Sequence, residues 1–332
     1  MSYSIKTGVI GTGSMGKNHV RVYKELSELI AVSDVDKVNG KMLANKYGVN
    51  YFEEYQELLK EVEAVTIATP TSEHYKIAKD ALEKGVHVLI EKPITASLNQ
   101  GLELLELARK EGLTLSVGHI ERHNPIVGFT KKELDNDSFG YPITMVSRRV
   151  SSFPARIRDV GVIHDLAIHE VDVMRYFAGA EVKYVYALAG STGYTEHESH
   201  ANILLKFENG INGFVEVNWT TPMKVRKMYL TCSSHYVELN YMTQSLVYST
   251  SRYMDIDEAN LYQPGLDLER REISLKKEEP LKKEIGDFLE AMKTGRDPLV
   301  TGEDALKVLN IIEKSVESYK KNKMIEIKEI GV

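Results

Sequence analysis

The 332-residue chain has one cysteine, Cys232, so it has no internal disulfide to form. That scarcity suits a reducing compartment. There is no basic excess either: 42 Lys and Arg stand against 48 Asp and Glu, a net charge of −6. Generic nucleic-acid binding needs a basic face that displaces counterions, so nucleic acid is not an expected partner. No apolar run approaches the ~20 residues that cross a bilayer, so no membrane span is expected. The opening MSYSIKTGVIGTG lacks a basic segment followed by an apolar one and does not read as a signal peptide. Together these absences predict a cytoplasmic protein. The length exceeds what one small core needs, which predicts two domains.

What is present first alternates apolar strands with helices. Strands are predicted at IKTGVIG (5–11), LIAVSD (29–34), AVTIATP (64–70), VHVLIEKP (86–93) and LTLSVG (113–118). Helices are predicted between them, among them SEHYKIAKDALEKG (72–85) with Ser72 as its N-cap and an Ile77, Ala78, Ala81, Leu82 stripe. Near-continuous apolar strands separated by helices predict a parallel sheet buried on both faces. From about residue 140 the strands are short, alternating and turn-linked, as in ANILLKF and INGFVEVNW, which predicts an antiparallel sheet with one covered face. Helical patterns return at 281–293 and 303–320, and 191–200 is the best candidate for a mobile loop.

GTGSMG (11–16) fits G-x-G-x-x-G and lies between the first strand and the first helix, the context a dinucleotide loop requires. Gly11 permits the tight turn, Gly13 lets a pyrophosphate approach the backbone, and Gly16 lets helix and strand pack closely. Asp34, at the end of the second strand, suits a ribose diol and would repel a 2′-phosphate, which favours NAD over NADP.

EKP (91–93) puts Lys92 at the carboxyl end of a strand, where open α/β sheets bind ligands. Glu91 is placed to pair with it or position it, and Pro93 is a candidate cis-proline. A surface salt bridge is the plainer alternative. GVIHDLAIHEVD (161–172) reads as a helix. At ~100° per residue, Asp165, His169, Asp172 and Tyr176 share an arc of about 60° on an otherwise largely apolar surface. His164 points about 100° from Asp165, so the two histidines do not converge and a metal site is disfavoured. A proton-transfer pair of Asp165 and His169 fits better, the carboxylate orienting the imidazole.

These pieces together resemble the Gfo/Idh/MocA oxidoreductase family along the whole chain. GTGSMGKNH resembles its cofactor loop, ATPTSEH (68–74) its turn on the nicotinamide side, and EKP with G-x-x-x-D-x-x-x-H-x-x-D (161–172) its catalytic elements. GRDPLVTGEDALKVLNIIEKSVES (295–318) resembles its C-terminal helix region. Two departures stand out: Val160 precedes Gly161 where the family often has a second glycine, and His119 stands where many members have tyrosine. The resemblance implies an α/β fold, with an N-terminal Rossmann domain (1–120) and a C-terminal α+β domain (121–332) built on a large open, mostly antiparallel sheet. The C-terminal helix and tail pack back on the Rossmann domain, and the sheet joins copies into a homodimer or homotetramer. It implies NAD as cofactor, bound by Gly11, Gly13, Ser14, Met15, Gly16, Asp34, Thr69, Pro70, His74, Glu91 and Lys92. It also implies catalysis by Lys92, Asp165 and His169, the last two also contacting substrate. SRRVSSFPARIRDVG (147–161) carries Arg148, Arg149, Arg156 and Arg158 against one acid, Asp159. Arginine forks suit a diphosphate, so Arg148, Arg156 and Arg158 are candidate anchors for a UDP-sugar, unless they are only solvated. VGHIERHNP and FPARIRDVGVIHDLAIHEVD also resemble the UDP-N-acetylglucosamine 3-dehydrogenase branch.

Overall fold

The computed structural model describes residues 3–154, 160–193, 196–253 and 266–331. The chain divides into two compact units, Met1–His123 with Glu278–Asn310 and Ile330–Val332, and Asn124–Lys277 with Ile311–Glu329.

The first unit is a doubly wound α/β layer. In order come β1 (Lys6–Ile10), α1 (Ser14–Leu26), β2 (Glu28–Ser33), α2 (Lys37–Tyr47), β3 (Asn50–Phe52), α3 (Tyr55–Leu58), β4 (Ala64–Ile67), α4 (Thr71–Glu83), β5 (His87–Glu91), α5 (Leu98–Glu111) and β6 (Leu115–Gly118). The six strands are parallel in the order β3-β2-β1-β4-β5-β6. Strands β4 and β6 are buried at every residue, as a sheet covered on both faces demands. One apolar cluster gathers Ile67, Leu82, Ile90 and Leu104, and a second gathers Val9, Tyr23, Leu89 and Phe288. Helix α4 begins one residue earlier than expected. Its N-cap is Pro70 with no side-chain cap, and Ser72 sits inside the helix with its hydroxyl on Glu73.

The second unit holds α6 (Pro125–Asp135), β7 (Pro142–Ser152), a π-helical turn (Ile163–Ala167), α7 (Ile168–Ala178), β8 (Val182–Gly190), β9 (His200–Phe207), β10 (Asn212–Asn218), β11 (Thr220–Cys232), β12 (Tyr236–Asn240), β13 (Ser245–Tyr253) and β14 (Leu266–Ser274). The chain then enters α8 (Pro280–Thr294) and α9 (Gly302–Lys321), and ends on β15 (Ile325–Glu326). The sheet order is β14-β13-β12-β11-β7-β10-β9-β8-β15. All its pairs are antiparallel except β7 with β10. Helix α7 packs on β7 and β10, covering one face. The period of two is plain in β9, where Ala201, Ile203, Leu205 and Phe207 point in and Asn202, Leu204 and Lys206 point out. On the open face, register lines up Tyr186, Leu204, Phe214, Val146 and Tyr229 as an apolar row across five strands.

Helix α8 carries an unusual core residue. Glu284 is 1% exposed, and neither carboxyl oxygen has a hydrogen-bond partner among the described residues. Burial, with Glu91 and Asp287 adding repulsion, pushes its carboxyl well above the ordinary carboxylate range. The unfolded chain ionises this group above its ordinary pKa of 4.5, while the folded chain holds the proton, so the stability it allows is fullest in acid and falls as pH rises. Each unit of raised pKa costs about 1.4 kcal/mol once the unfolded form is ionised. Glu284→Gln should therefore melt higher than wild type at about pH 8, with the gain shrinking near pH ~5, in paired thermal melts.

Candidate active site

The glycine loop joins β1 to α1. Gly11 has φ +92, and a Cβ there would lie 2.7 Å from the Ala68 carbonyl and 2.9 Å from the Thr69 nitrogen. A Cβ at Gly16 would overlap the Gly11 carbonyl. Both positions therefore require glycine. A Cβ at Gly13 would meet nothing within 4 Å, so the backbone there is open to a pyrophosphate. Gly13 and Ser14 are exposed and Met15 half-buried, at the amino end of α1, whose N-cap Gly13 offers no side-chain oxygen. Asp34 Oδ2 accepts from Thr12 N and Thr12 Oγ1, both at 2.6 Å, and Oδ1 accepts from Asp36 N at 2.8 Å. The carboxylate is thus aimed by the loop itself and keeps lone pairs for a ribose diol. Val35 and Val38, 88% and 78% exposed, offer bare apolar surface beside it, as an adenine face needs. The residues present fit NAD.

The turns after β4 and β5 are tied together by His74. It is 1% exposed, with Nδ1 2.9 Å from the Pro93 carbonyl oxygen and Nε2 3.0 Å from the Thr69 carbonyl oxygen. Its side chain therefore acts on the Thr69–Pro70 turn and the Glu91–Pro93 turn from behind. Pro70 is exposed, Thr69 half-buried, and the Lys92–Pro93 peptide is cis. Glu91, with a side chain 13% exposed, meets His19 Nε2 at 2.8 Å. Burial alone would push the Glu91 carboxyl up. His19, Lys92 and His74 outweigh it and hold the group below the ordinary carboxylate range. The Glu91–His19 pair, with His19 fully buried, was not evident in the sequence; the signal for it is a histidine on the inward face of α1. Lys92 is half-buried just past the end of β5, next in sequence to the Glu91 carboxylate.

In the second unit the π-helical turn precedes α7, and Asp165 and His169 are both half-buried. Such turns shift the angular phase and recur at functional sites. The turn changes the angle of Asp165 relative to α7, whereas the rest of the expected stripe, His169, Asp172 and Tyr176, lies within α7 and keeps a common face. Asp172 is 1% exposed, and the Lys131 ammonium lies 5.5 Å from the Tyr176 ring centre, so the lower half packs inward and against α6. Glu170, which the angular reading left out, is fully buried and accepts from Arg149 Nε at 2.6 Å and from the Tyr241 hydroxyl at 3.4 Å. The entry to the turn is held by Glu198, 7% exposed, from the segment expected to be mobile. Its carbonyl accepts from Val162 N at 3.1 Å and its Oε1 from Ile163 N at 3.2 Å.

The arginine cluster needs one correction. Alternation on β7 sends Arg149 to the covered face and Arg148 to the open one, where it pairs with Glu216 at 2.9 Å and is 52% exposed. Arg148 therefore faces away from the helix that carries Asp165 and His169, and leaves the substrate set. Arg156 and Arg158 lie outside the described residues.

The loop, the aspartate and the sheet order define a dinucleotide-binding oxidoreductase fold. Residues 5–119 match the oxidoreductase family with an NAD-binding Rossmann fold, and residues 131–238 match the GFO/IDH/MocA C-terminal domain. The chain belongs to the Gfo/Idh/MocA oxidoreductase family, and its cofactor is NAD. It is 30% identical over 307 residues to UDP-N-acetylglucosamine 3-dehydrogenase of Acidithiobacillus ferrooxidans, covering 92% of this chain and 94% of that one. A solved structure of that enzyme superposes with a TM-score of 0.87 at 28% identity, over 96% and 98% of the two chains. The chain is also 24% identical to scyllo-inositol 2-dehydrogenase (NAD(+)) of Bacillus subtilis, over 98% of this chain and 97% of that one. Levoglucosan dehydrogenase in complex with NADH and levoglucosan shares the fold, with a TM-score of 0.86 at 20% identity over 99% and 100%. Among the described residues no helix is long and apolar enough to cross a membrane.

The His74 contacts set a pH dependence. Burial lowers its pKa below 6.5, with the Pro93 and Thr69 carbonyls pulling the other way. The unfolded chain thus takes up the proton first, and stability present above pH ~6.5 is lost as pH falls through the folded pKa. His74→Gln should lower the melting temperature at neutral pH, and its melting temperature should then fall less steeply than wild type towards pH ~5.

Proposed function

We propose that this protein oxidises a hydroxyl of a UDP-sugar with NAD, namely C3 of UDP-N-acetylglucosamine, giving the 3-keto sugar nucleotide. The observation that carries the reading is the likeness to UDP-N-acetylglucosamine 3-dehydrogenase over nearly the whole chain. The motif residues Lys92, Asp165 and His169 take the family's catalytic roles, each at its matching position. The glycine loop and Asp34 would hold NAD, which would supply the acceptor for the hydride of the carbinol carbon. Lys92 hydrogen-bonds the reacting oxygen and stabilises its developing negative charge. His169 takes the hydroxyl proton, and Asp165 orients the imidazole or the sugar. Lys92 and His169 can exchange the base role on this reading. With Arg148 turned to the open face, Arg156 and Arg158 are left as the diphosphate anchors.

A second reading is oxidation of a free sugar or inositol. The inositol dehydrogenase relative supports it, as does the loss of Arg148 from the anchor set. Purified protein with NAD and UDP-N-acetylglucosamine should produce NADH and a sugar nucleotide two hydrogens lighter by mass. With 2-oxoglutarate added to a parallel reaction, product should appear even if reduced cofactor stays bound. Oxidation of inositol or free sugars instead would replace the substrate and keep the chemistry. Lys92→Ala should lower turnover by about 10²–10³-fold with NAD binding retained. Arg156→Ala with Arg158→Ala should raise KM for the UDP-sugar and leave that for NAD unchanged.

We also infer that the apolar row on the open sheet face joins copies of this chain. Leu204 is 51% exposed and Leu188 53%, beside the Arg148–Glu216 pair, an apolar core with a charged rim. Leu204→Arg should convert the assembly to monomers in light scattering.

A further inference from the structure

Gly161 opens the segment that leads to Asp165 and His169, and the structure shows why no other residue suits it. A Cβ at Gly161 would overlap the carboxyl carbon and both oxygens of Glu198. That carboxylate is buried and comes from a different part of the sheet, just ahead of β9. It is not a loose neighbour. The next residue, Ser199, donates its backbone N–H to the Gly190 carbonyl at 2.8 Å, and its carbonyl accepts from Trp219 N at 2.9 Å. The Ser199 hydroxyl accepts from Thr192 N at 2.9 Å. Glu198 is therefore set on a fixed strand end, and two of its oxygens take the N–H groups of Val162 and Ile163.

Those two N–H groups belong to the set that an opening helix leaves without intrahelical partners. A carboxylate there also sits favourably at the positive end of the helix dipole. The Gly161 carbonyl in turn accepts from Asp165 N at 3.0 Å. So the path from Glu198 to Asp165 is two backbone contacts long, and His169 lies one turn beyond.

We propose that Glu198 is a positioning residue of the reaction centre, seated against Gly161 so that it sets where the helical segment carrying Asp165 and His169 begins. The proposal rests on the reading that Asp165 and His169 serve the reaction. It assigns Glu198 no contact with substrate or cofactor. It also gives Gly161 a reason of its own: the glycine makes room for a carboxylate rather than for a ligand.

The test pairs the two residues. Glu198→Ala should lower kcat by about ten- to a hundredfold, the cost of a small misplacement, with KM for NAD and NADH binding unchanged. Glu198→Gln keeps the acceptor for Ile163 N and should stay within a few-fold of wild type. Gly161→Ala should be more impaired than Glu198→Ala, and the double variant should recover to the Glu198→Ala level because the overlap is gone. Hydrogen exchange at the Ile163 amide should speed up in Glu198→Ala and not in Glu198→Gln, a readout that needs no substrate. His169→Ala is measured alongside. Wild-type turnover in His169→Ala would overturn the catalytic reading. An inactive His169→Ala beside a fully active Glu198→Ala, or unchanged exchange at Ile163, would overturn the positioning role alone. Should Glu198→Ala fail to fold, the Gln variant and the Gly161 variants decide. Strictly additive losses in the double variant would also overturn it.

Discussion

One imidazole holds the ligand end of the parallel sheet. His74 meets the carbonyls of Thr69 and Pro93 through its two ring nitrogens, so the turns that end β4 and β5 share a single buried support. A neutral ring has one N–H for two carbonyls. The contact is therefore a compromise between burial, which favours the neutral ring, and two acceptors, which favour the charged one. Lys92 is next to the residue being held, and Glu91 on its other side is committed to His19. The lysine's place follows from groups that do not themselves face a ligand.

The second unit uses a different device for the same end. Arg149 and Glu170 form a buried ion pair between β7 and α7, with Tyr241 as a further donor to the carboxylate. Such a pair adds little net stability, since desolvation offsets most of the attraction. Breaking it would strand a buried charge, so it fixes how α7 lies on the sheet more than it strengthens the fold. Glu198 fixes the other end of the same helical segment. Between them the rotation and the starting point of that segment are set.

The alternation of apolar strands and helices, the glycine loop and Asp34 were legible because each has a strong local signature. The switch to alternating strands near residue 140 marked the second sheet equally well. What escaped depends on contacts between distant segments. Arg148 and Arg149 are adjacent arginines, and nothing local tells which of the two faces inward; the buried partner Glu170, 21 residues on, decides it. An angular count that assumes one helix type throughout does not see the π-helical turn, which changes the angle of Asp165 relative to α7. Glu198 looked like part of a polar loop because burial against Gly161 leaves no trace in its own neighbours. The mixed character of the second sheet, with β7 parallel to β10, is likewise a matter of chain path and not of composition.

Asp34 has a consequence for how this scaffold can change. Its Oδ2 takes both the N–H and the hydroxyl of Thr12, so the group proposed to favour NAD over NADP is also a brace for the glycine loop. Replacing the carboxylate to admit a 2′-phosphate would remove two bonds from that loop at the same moment. A lineage, or an engineer, moving this protein towards the other nicotinamide cofactor would need a new support for Thr12 along with the new specificity. On that proposal, cofactor choice and loop support rest on the same pair of residues, Asp34 and Thr12.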